Sequence, residues 1–237
     1  MSKFWNNTLP PGYYDKILQS GLSINKGLQA NWHNSTFLKV RSYIKDTDSH
    51  LDYACGSGAF IGNYLYGNSL GVDIANNQIE YAKNQYSSNN YLPLDEFNLT
   101  EHQKKYNVIS IIGLLEFLDH NESTELLNSL RDLLKKNGEI ILTTPNYRSA
   151  MYIFYIILNF FGVVNYKHEY KEKYNLRKLK SLINSTSYEV IEVSRFLNIG
   201  VFISIWNIGS SLKIMNRIEK IINKRFGYLL VARIKKI

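Results

Sequence analysis

The amino-acid sequence predicts an α/β protein with a doubly wound, mostly parallel sheet and helices on both of its faces. Short apolar runs alternate with segments of helical periodicity between residues 49 and 146. The runs carry few polar residues, as strands buried on both faces do, and each repeat has room for a crossover helix. A glycine loop follows the first run and a carboxylate ends the second, an order that is typical of nucleotide-binding α/β folds.

Periodicity places the elements of the first two thirds of the chain in order. Strands are predicted at residues 51–55, 70–74, 91–97, 107–112 and 139–144. The first intervening helix is predicted at residues 59–66. The second is capped by Asn76-Asn77 and runs to about Tyr86; the third is capped by Asn121 and ends at Asn137-Gly138. Shorter helices at residues 13–18 and 37–44 precede the sheet.

The last third continues the pattern and adds two apolar runs. A helix is predicted at residues 175–183, a strand at 188–194, a helix from Ser210 and a last strand at 228–234. The apolar runs span 151–164 and 197–208, each shorter than the ~20 apolar residues of a bilayer span, so no transmembrane span is predicted. They are interpreted as core helices or a lid, with an apolar substrate pocket or a peripheral membrane contact as the alternative.

Charge is distributed unevenly along the chain, whose formal net charge is +8. Up to Val163 there are 13 Lys and Arg against 15 Asp and Glu, a net charge of −2; from Val164 there are 15 against 5, a net charge of +10. A basic tail favours a nucleic acid, an anionic membrane or a phosphorylated substrate, and a solvated surface is the alternative.

The single cysteine limits the chemistry that the chain can support. Cys55 excludes an internal disulfide and offers no metal cluster, so no metal site is predicted. The first seven residues lack the charged-then-apolar pattern of a signal peptide. A reducing, cytoplasmic location is therefore expected.

The segment from His50 to Gly58 and the strand end at Asp73 predict a nucleotide site. Glycines let the backbone approach a ligand, the following helix offers free N–H groups, and a carboxylate 17 positions beyond Gly56 can hold two ribose hydroxyls. Asp52 precedes the glycines inside the strand, where it can receive an ammonium group. A pyrophosphate-bearing dinucleotide gains little from that extra anion.

Two further segments indicate which cofactor binds. Residues 106–118 read as strand four and its exit, and residues 134–146 include Asn137-Gly138 and end in Thr144-Pro145-Asn146. With the loop at residues 52–58 and the strand end Gly71-Val72-Asp73-Ile74, the set resembles the class I S-adenosylmethionine-dependent methyltransferases, over roughly residues 49–146. S-adenosylmethionine is the cofactor that this resemblance implies, and S-adenosylhomocysteine the product.

The resemblance also implies the fold and the residues that hold the cofactor. The sheet would be Rossmann-like and seven-stranded, with an antiparallel last strand and a partly helical lid. Asp73 would bind the ribose, the loop backbone would lie along the methionine part, and Asn98 would replace an acid that contacts the adenine. The predicted cofactor-binding residues are Asp52, Ala54, Gly56, Gly58, Asp73, Ile74, Gln78, Asn98, Leu99, Ile112 and Gly113.

Departures from the family pattern affect the catalytic assignment. Ala54 replaces the first glycine of the loop. Asn107 replaces an acid that is common at the start of strand four. Phe117 stands where a His often follows the Glu after strand four. For Glu116 itself, two roles remain open: a charge that stabilises the start of a helix, or a residue of the site. The candidates for a base or a cover over the site are therefore His168, His33 and Tyr14, in segments where related enzymes place a lid.

For methyl transfer the enzyme mainly has to align the methyl donor with the acceptor and exclude water. These requirements do not identify the acceptor, which is therefore the least constrained assignment. Cys55 lies in the cofactor loop and cannot serve as the nucleophile of a pyrimidine C5 enzyme, and Gly113–Glu116 lacks the D/N-P-P-Y sequence of DNA amine methyltransferases. We predict O-methylation of a small-molecule, glycan or lipid-linked acceptor. A nucleic-acid methyltransferase or binder, possible but not favoured, and a non-catalytic relative of the fold are the alternatives.

The domain division follows from the same assignment. Residues 1–45 are predicted to form a helical segment that covers the site. Residues 46–237 would form the methyltransferase domain, with lid insertions at about 150–170 and 197–225.

Overall fold

The computed structural model describes residues 2–150, 166, 168–222 and 225–237. One sheet of seven strands has the order β3-β2-β1-β4-β5-β7-β6. Only β7 runs antiparallel to its neighbours, β5 and β6, which confirms the predicted fold class. The strands are β1 His50–Tyr53, β2 Ser69–Asp73, β3 Asn90–Pro93, β4 Tyr106–Ile112, β5 Leu134–Pro145, β6 Tyr188–Phe196 and β7 Leu229–Lys236.

Helices precede the sheet and cover both of its faces. Three come before β1: α1 Ser2–Asn7, α2 Tyr13–Ser23 and α3 Leu28–Arg41. The others are α4 Ala59–Tyr64, α5 Asn76–Gln85, α6 His120–Arg131, α7 Leu176–Asn184 and α8 Ile208–Ile222. Short 3-10 turns lie at Leu94–Glu96, Leu115–Phe117 and Ile199–Ile205. The apolar run at 151–164, and with it most of the first predicted lid, lies outside the described residues.

Two hydrophobic cores hold the layers together. On one face, α6 and α7 pack on the sheet through fully buried residues such as Leu127, Leu130 and Leu182. On the other, α3, α4, α5 and α8 contribute residues that include Val40 and Ile79. The central strands are apolar on both sides because both faces are covered. β1, β2 and β4 are mutually parallel, so their carboxyl ends meet at one edge of the sheet.

Some predicted boundaries are wrong for local reasons. Asp119, not Asn121, caps α6: its carboxylate accepts the Glu122 N–H, and Glu122 bonds back to the Asp119 N–H, which forms a capping box. The helix then ends at Arg131 and β5 already begins at Leu134. Asn137 lies within β5 at a φ of 64°, near a register shift against β4, so it marks an irregularity in the strand and not a helix end.

Candidate active site

A pocket of about 720 Å³ opens at the carboxyl edge of β1, β2 and β4. This is the edge at which parallel α/β sheets bind ligands. Most of its lining is apolar or aromatic. The walls come from the strand ends, from the N-terminal helices through residues such as Tyr14 and Trp32, and from the 3-10 turns through Leu94, Glu116 and Val201.

Asp73 ends β2 inside this pocket and is nearly buried. Its two carboxylate oxygens accept the Gly56 N–H at 2.8 Å and the Ala75 N–H at 2.8 Å. Burial raises the pKa of Asp73, and these backbone bonds oppose the rise. A carboxylate has about four lone-pair sites, so it can still accept two hydroxyl hydrogens from a ligand.

The glycine loop adopts a left-handed backbone at three positions. Ala54, Gly56 and Gly58 have φ values of 65°, 54° and 74°. At Gly56 an added Cβ would meet no atom within 4 Å, so the loop leaves open space beside Asp73. Gly58, which precedes α4, is tightly packed and is not among the residues that line the pocket.

Gly58 and Gly56 form a matched pair for a stability test. A Cβ on Gly58 would lie 2.7 Å from the Tyr91 ring and 2.8 Å from the Ala82 Cβ. Both positions share the left-handed backbone cost of about 1–2 kcal/mol for an alanine. We expect Gly58→Ala to lower the free energy of unfolding in urea by about 1–3 kcal/mol more than Gly56→Ala. Equal losses would contradict the packing that the structure shows.

Asp52 is buried and connected to two other polar side chains of the sheet. The Ser110 hydroxyl donates to its carboxylate, and Ser110 Oγ lies 2.9 Å from His50 Nε2. Burial raises the pKa of Asp52 to about 7 and lowers that of His50 to about 3, so His50 is a neutral structural residue. A cation beside Asp52 would stabilise its charged form, which fits the ammonium of an amino-acid ligand.

The other predicted cofactor residues divide into two groups. Ala54, Ile74, Ile112 and Gly113 line the pocket with Asp52, Gly56 and Asp73. Asn98 and Leu99 are exposed and do not line it. The Asn98 side chain instead bonds to Glu101 and to the Thr100 N–H. β3 ends at Pro93, earlier than predicted, and the next residue, Leu94, is the one that reaches the pocket.

Gln78 lines the pocket, but its amide is engaged by the N-terminal segment. Gln78 Oε1 accepts the Gly12 N–H at 3.0 Å, and Nε2 donates to the Pro10 carbonyl at 3.1 Å. Asp15 of α2, fully buried, also accepts the hydroxyls of Tyr81 and Tyr86. These contacts join α5 to the segment that forms one wall of the pocket.

Glu116 is a site residue that the sequence left undecided. It follows Gly113 in the turn after β4, is 5% exposed and lines the pocket. Its Oε2 accepts the Thr144 hydroxyl at 3.1 Å. Burial raises the pKa of Glu116 to about 7, although the Thr144 bond lowers it in part. A carboxyl group in this state exchanges a proton near neutral pH.

The three predicted catalytic residues lie in different environments. His33 lines the pocket, its buried Nε2 has no hydrogen-bond partner among the described residues, and burial lowers its pKa to about 4. Tyr14 also lines the pocket and shares a short hydrogen bond with the Tyr166 hydroxyl, and burial raises its pKa. His168 is exposed and is not among the described residues that line the pocket.

Aromatic side chains form the wall opposite the strand ends. Phe117, which stands where a His was expected, lies 4.9 Å from Trp5 and 4.9 Å from Tyr170, as ring-centroid distances. The Glu116 carbonyl accepts the Lys171 N–H at 2.9 Å. This bond holds Tyr170 against the turn that carries Glu116, so the wall and the carboxyl group are positioned together.

The comparisons with known proteins agree with this geometry. A model of the methyltransferase domain family matches residues 29–193, more than half of the chain. No curated protein sequence matches. A methyltransferase of Archaeoglobus fulgidus is 20% identical over 86% of this chain and 94% of its own, with a TM-score of 0.58. The magnesium protoporphyrin IX methyltransferase of Synechocystis, solved with S-adenosylhomocysteine, is 11% identical. The match covers 89% of this chain and 85% of that protein, with a TM-score of 0.58.

The strand order and the loop at its carboxyl edge define a cofactor-binding enzyme fold of the Rossmann-like class. The chain belongs to the class I S-adenosylmethionine-dependent methyltransferases, as the sequence predicted, and S-adenosylmethionine is the cofactor of that family. Within the described part of the chain, no helix combines the length and apolar character needed to cross a bilayer.

Proposed function

We propose that this methyltransferase methylates a hydroxyl group on an acceptor with a large apolar or aromatic body, either a small molecule or a lipid-linked compound. Glu116 carries the proposal, because it is a buried carboxyl group that lines the pocket beside the aromatic side chains of Trp5 and Phe117. When bound, S-adenosylmethionine supplies an electrophilic methyl group.

The residues at the strand ends fit that cofactor. Asp73 retains acceptor sites for ribose hydroxyls beside the open space at Gly56. Asp52 would face the ammonium group, whose charge offsets the cost of ionising a buried carboxyl. Leu94 would contact the adenine region in place of Asn98, with the backbone of the 3-10 turn Leu94–Glu96 beside it.

Glu116 is the better base because of its position and its pKa. A hydroxyl acceptor must lose a proton, and a base is most effective when its pKa lies near the working pH. Glu116 meets this condition, whereas His33 binds a proton only well below neutral pH. The Thr144 hydroxyl bonds to Glu116 Oε2, and a carboxylate has further lone pairs with which it can accept the hydroxyl proton.

The remaining walls favour an apolar acceptor. Trp5, Trp32, Phe117 and Phe202 line the pocket, and burial of aromatic surface against them provides binding energy that depends little on orientation. Glu116 then provides the polar contact that fixes where the hydroxyl lies.

A matched pair of acceptors tests the proposal. Purified enzyme would receive S-adenosylmethionine and a phenol that carries a prenyl chain, or the corresponding aniline. We expect methyl ether from the phenol by mass spectrometry, and a higher KM for the same phenol without its chain. Methylation of the aniline alone, or equal KM values with and without the chain, would contradict the proposed acceptor.

A further inference from the structure

Helix α8 presents an exposed basic face that no part of the proposed reaction uses. Lys213, Arg217 and Lys220 are all exposed, and their spacing of four and three residues places them on one side of the helix. Ile208, Ser211 and Met215 form the opposite, buried side. The single acid among the fifteen residues of α8, Glu219, is half-buried, so the exposed side is positive along its length of roughly 20 Å.

Large apolar side chains are exposed to solvent at both ends of this helix. Trp206 precedes α8 and is 69% exposed, Ile221 in its last turn is 82% exposed, and Phe226 beyond the helix is 69% exposed. Ile205, beside Trp206, is also exposed. We name the set of Lys213, Arg217, Lys220 and these flanking residues the α8 face.

We propose that the α8 face docks on an anionic membrane surface. Cations along the helix would lie at the level of the lipid phosphates, while Trp206, Ile221 and Phe226 would enter the boundary between headgroups and acyl chains. A single-stranded RNA would use the cations and could stack on Trp206. It offers no environment for Ile205 and Ile221, which a bilayer removes from water.

The location of the α8 face relates it to the pocket. The 3-10 segment Ile199–Ile205 contributes Val201 and Phe202 to the pocket wall and ends at the exposed Ile205 and Trp206. A membrane bound to the α8 face would therefore lie beside one wall of the active site. The docking itself does not depend on which acceptor is methylated, so its test needs no substrate.

Vesicle binding by the full chain tests the inference. The protein would be sedimented with phosphatidylcholine vesicles that contain or lack phosphatidylglycerol. We expect binding to the anionic vesicles, and a loss of about tenfold or more in the triple variant K213Q/R217Q/K220Q. The control K83Q/K105Q/K136Q removes three exposed lysines elsewhere and should change binding by less than about threefold, since the net charge falls equally in both.

Fluorescence identifies the residue that enters the lipid. The chain has three tryptophans, and Trp206 is the exposed one. Lipids with brominated acyl chains should quench its emission, and Trp206→Phe should remove that quenching. The inference would be overturned by an absence of vesicle binding, by equal losses in the two triple variants, or by salt-dependent binding of a single-stranded RNA without binding of vesicles.

Discussion

Asp73→Ala is expected to weaken binding of S-adenosylhomocysteine by about 100-fold or more. Two hydrogen bonds from ribose hydroxyls to a carboxylate contribute about 1.5–3 kcal/mol each, and 1.4 kcal/mol corresponds to a factor of ten. The variant also removes the acceptor of the Gly56 N–H, so the loop loses the bond that holds it beside the ligand. Isothermal titration calorimetry measures the change directly.

Asp73→Asn provides the control for this prediction. Asparagine keeps the volume of the side chain and one acceptor oxygen, so it can keep the bond to Ala75 or to Gly56 but not both. We expect its affinity to lie between those of the wild type and the alanine variant, and its thermal unfolding midpoint to fall, because one backbone N–H loses its acceptor. Affinity within threefold of wild type for Asp73→Ala would show that this carboxylate does not bind the cofactor.

The fold and most of the pocket-lining residues proposed to bind the cofactor are accessible from the sequence because their determinants are local. Gly56 lies in the loop after β1 and Asp73 ends β2, and parallel strands bring their carboxyl ends to one edge without further information. The apolar segments 108–112 and 140–142 likewise identify β4 and β5 as central strands, although not the start of β5 at Leu134.

The remaining assignments depend on contacts between distant segments. Asn98 was assigned to the adenine because the third strand was predicted to run to residue 97. That strand ends at Pro93, so Asn98 lies beyond the site and is exposed. Gln78 binds backbone groups 66–69 positions away, a pairing with no sequence pattern. His168 was favoured for its neighbours in sequence, yet its exposure is decided by the tertiary fold.

The proposed catalytic role of Glu116 could be assigned only from the tertiary structure. In the sequence it is one acid after an apolar strand, and a helix-start charge would look the same. The structure buries it in the pocket wall, where it accepts the Thr144 hydroxyl. The one available signal was the run of apolar residues on both sides, Leu114-Leu115 and Phe117-Leu118, which predicts burial of the acid between them.

Glu116→Gln should lower kcat by about 100- to 10,000-fold, the usual contribution of a positioned base. Wild-type kcat/KM should fall as pH drops below about 7, because the protonated carboxyl cannot accept the hydroxyl proton. In the variant this inflection should disappear. Cofactor affinity should be unchanged, which separates the role of Glu116 from that of Asp73.

The pH dependence of stability distinguishes a catalytic Glu116 from one that only supports the fold. The pKa of Glu116 rises from 4.5 to about 7 in the folded chain, so between these values the folded state holds a proton that the unfolded state has released. This carboxyl therefore reduces stability progressively as pH rises from about 4.5 to about 7, by up to about 3 kcal/mol. Glutamine keeps the acceptor for Thr144 without a charge.

At pH 8 we accordingly expect Glu116→Gln to unfold at a higher temperature than the wild type while it turns over far more slowly. At pH 4.5, where the native carboxyl is already neutral, the two unfolding midpoints should converge. Loss of both stability and activity at pH 8 would mean that Glu116 holds the turn after β4 in place, and the base would have to be sought elsewhere in the pocket.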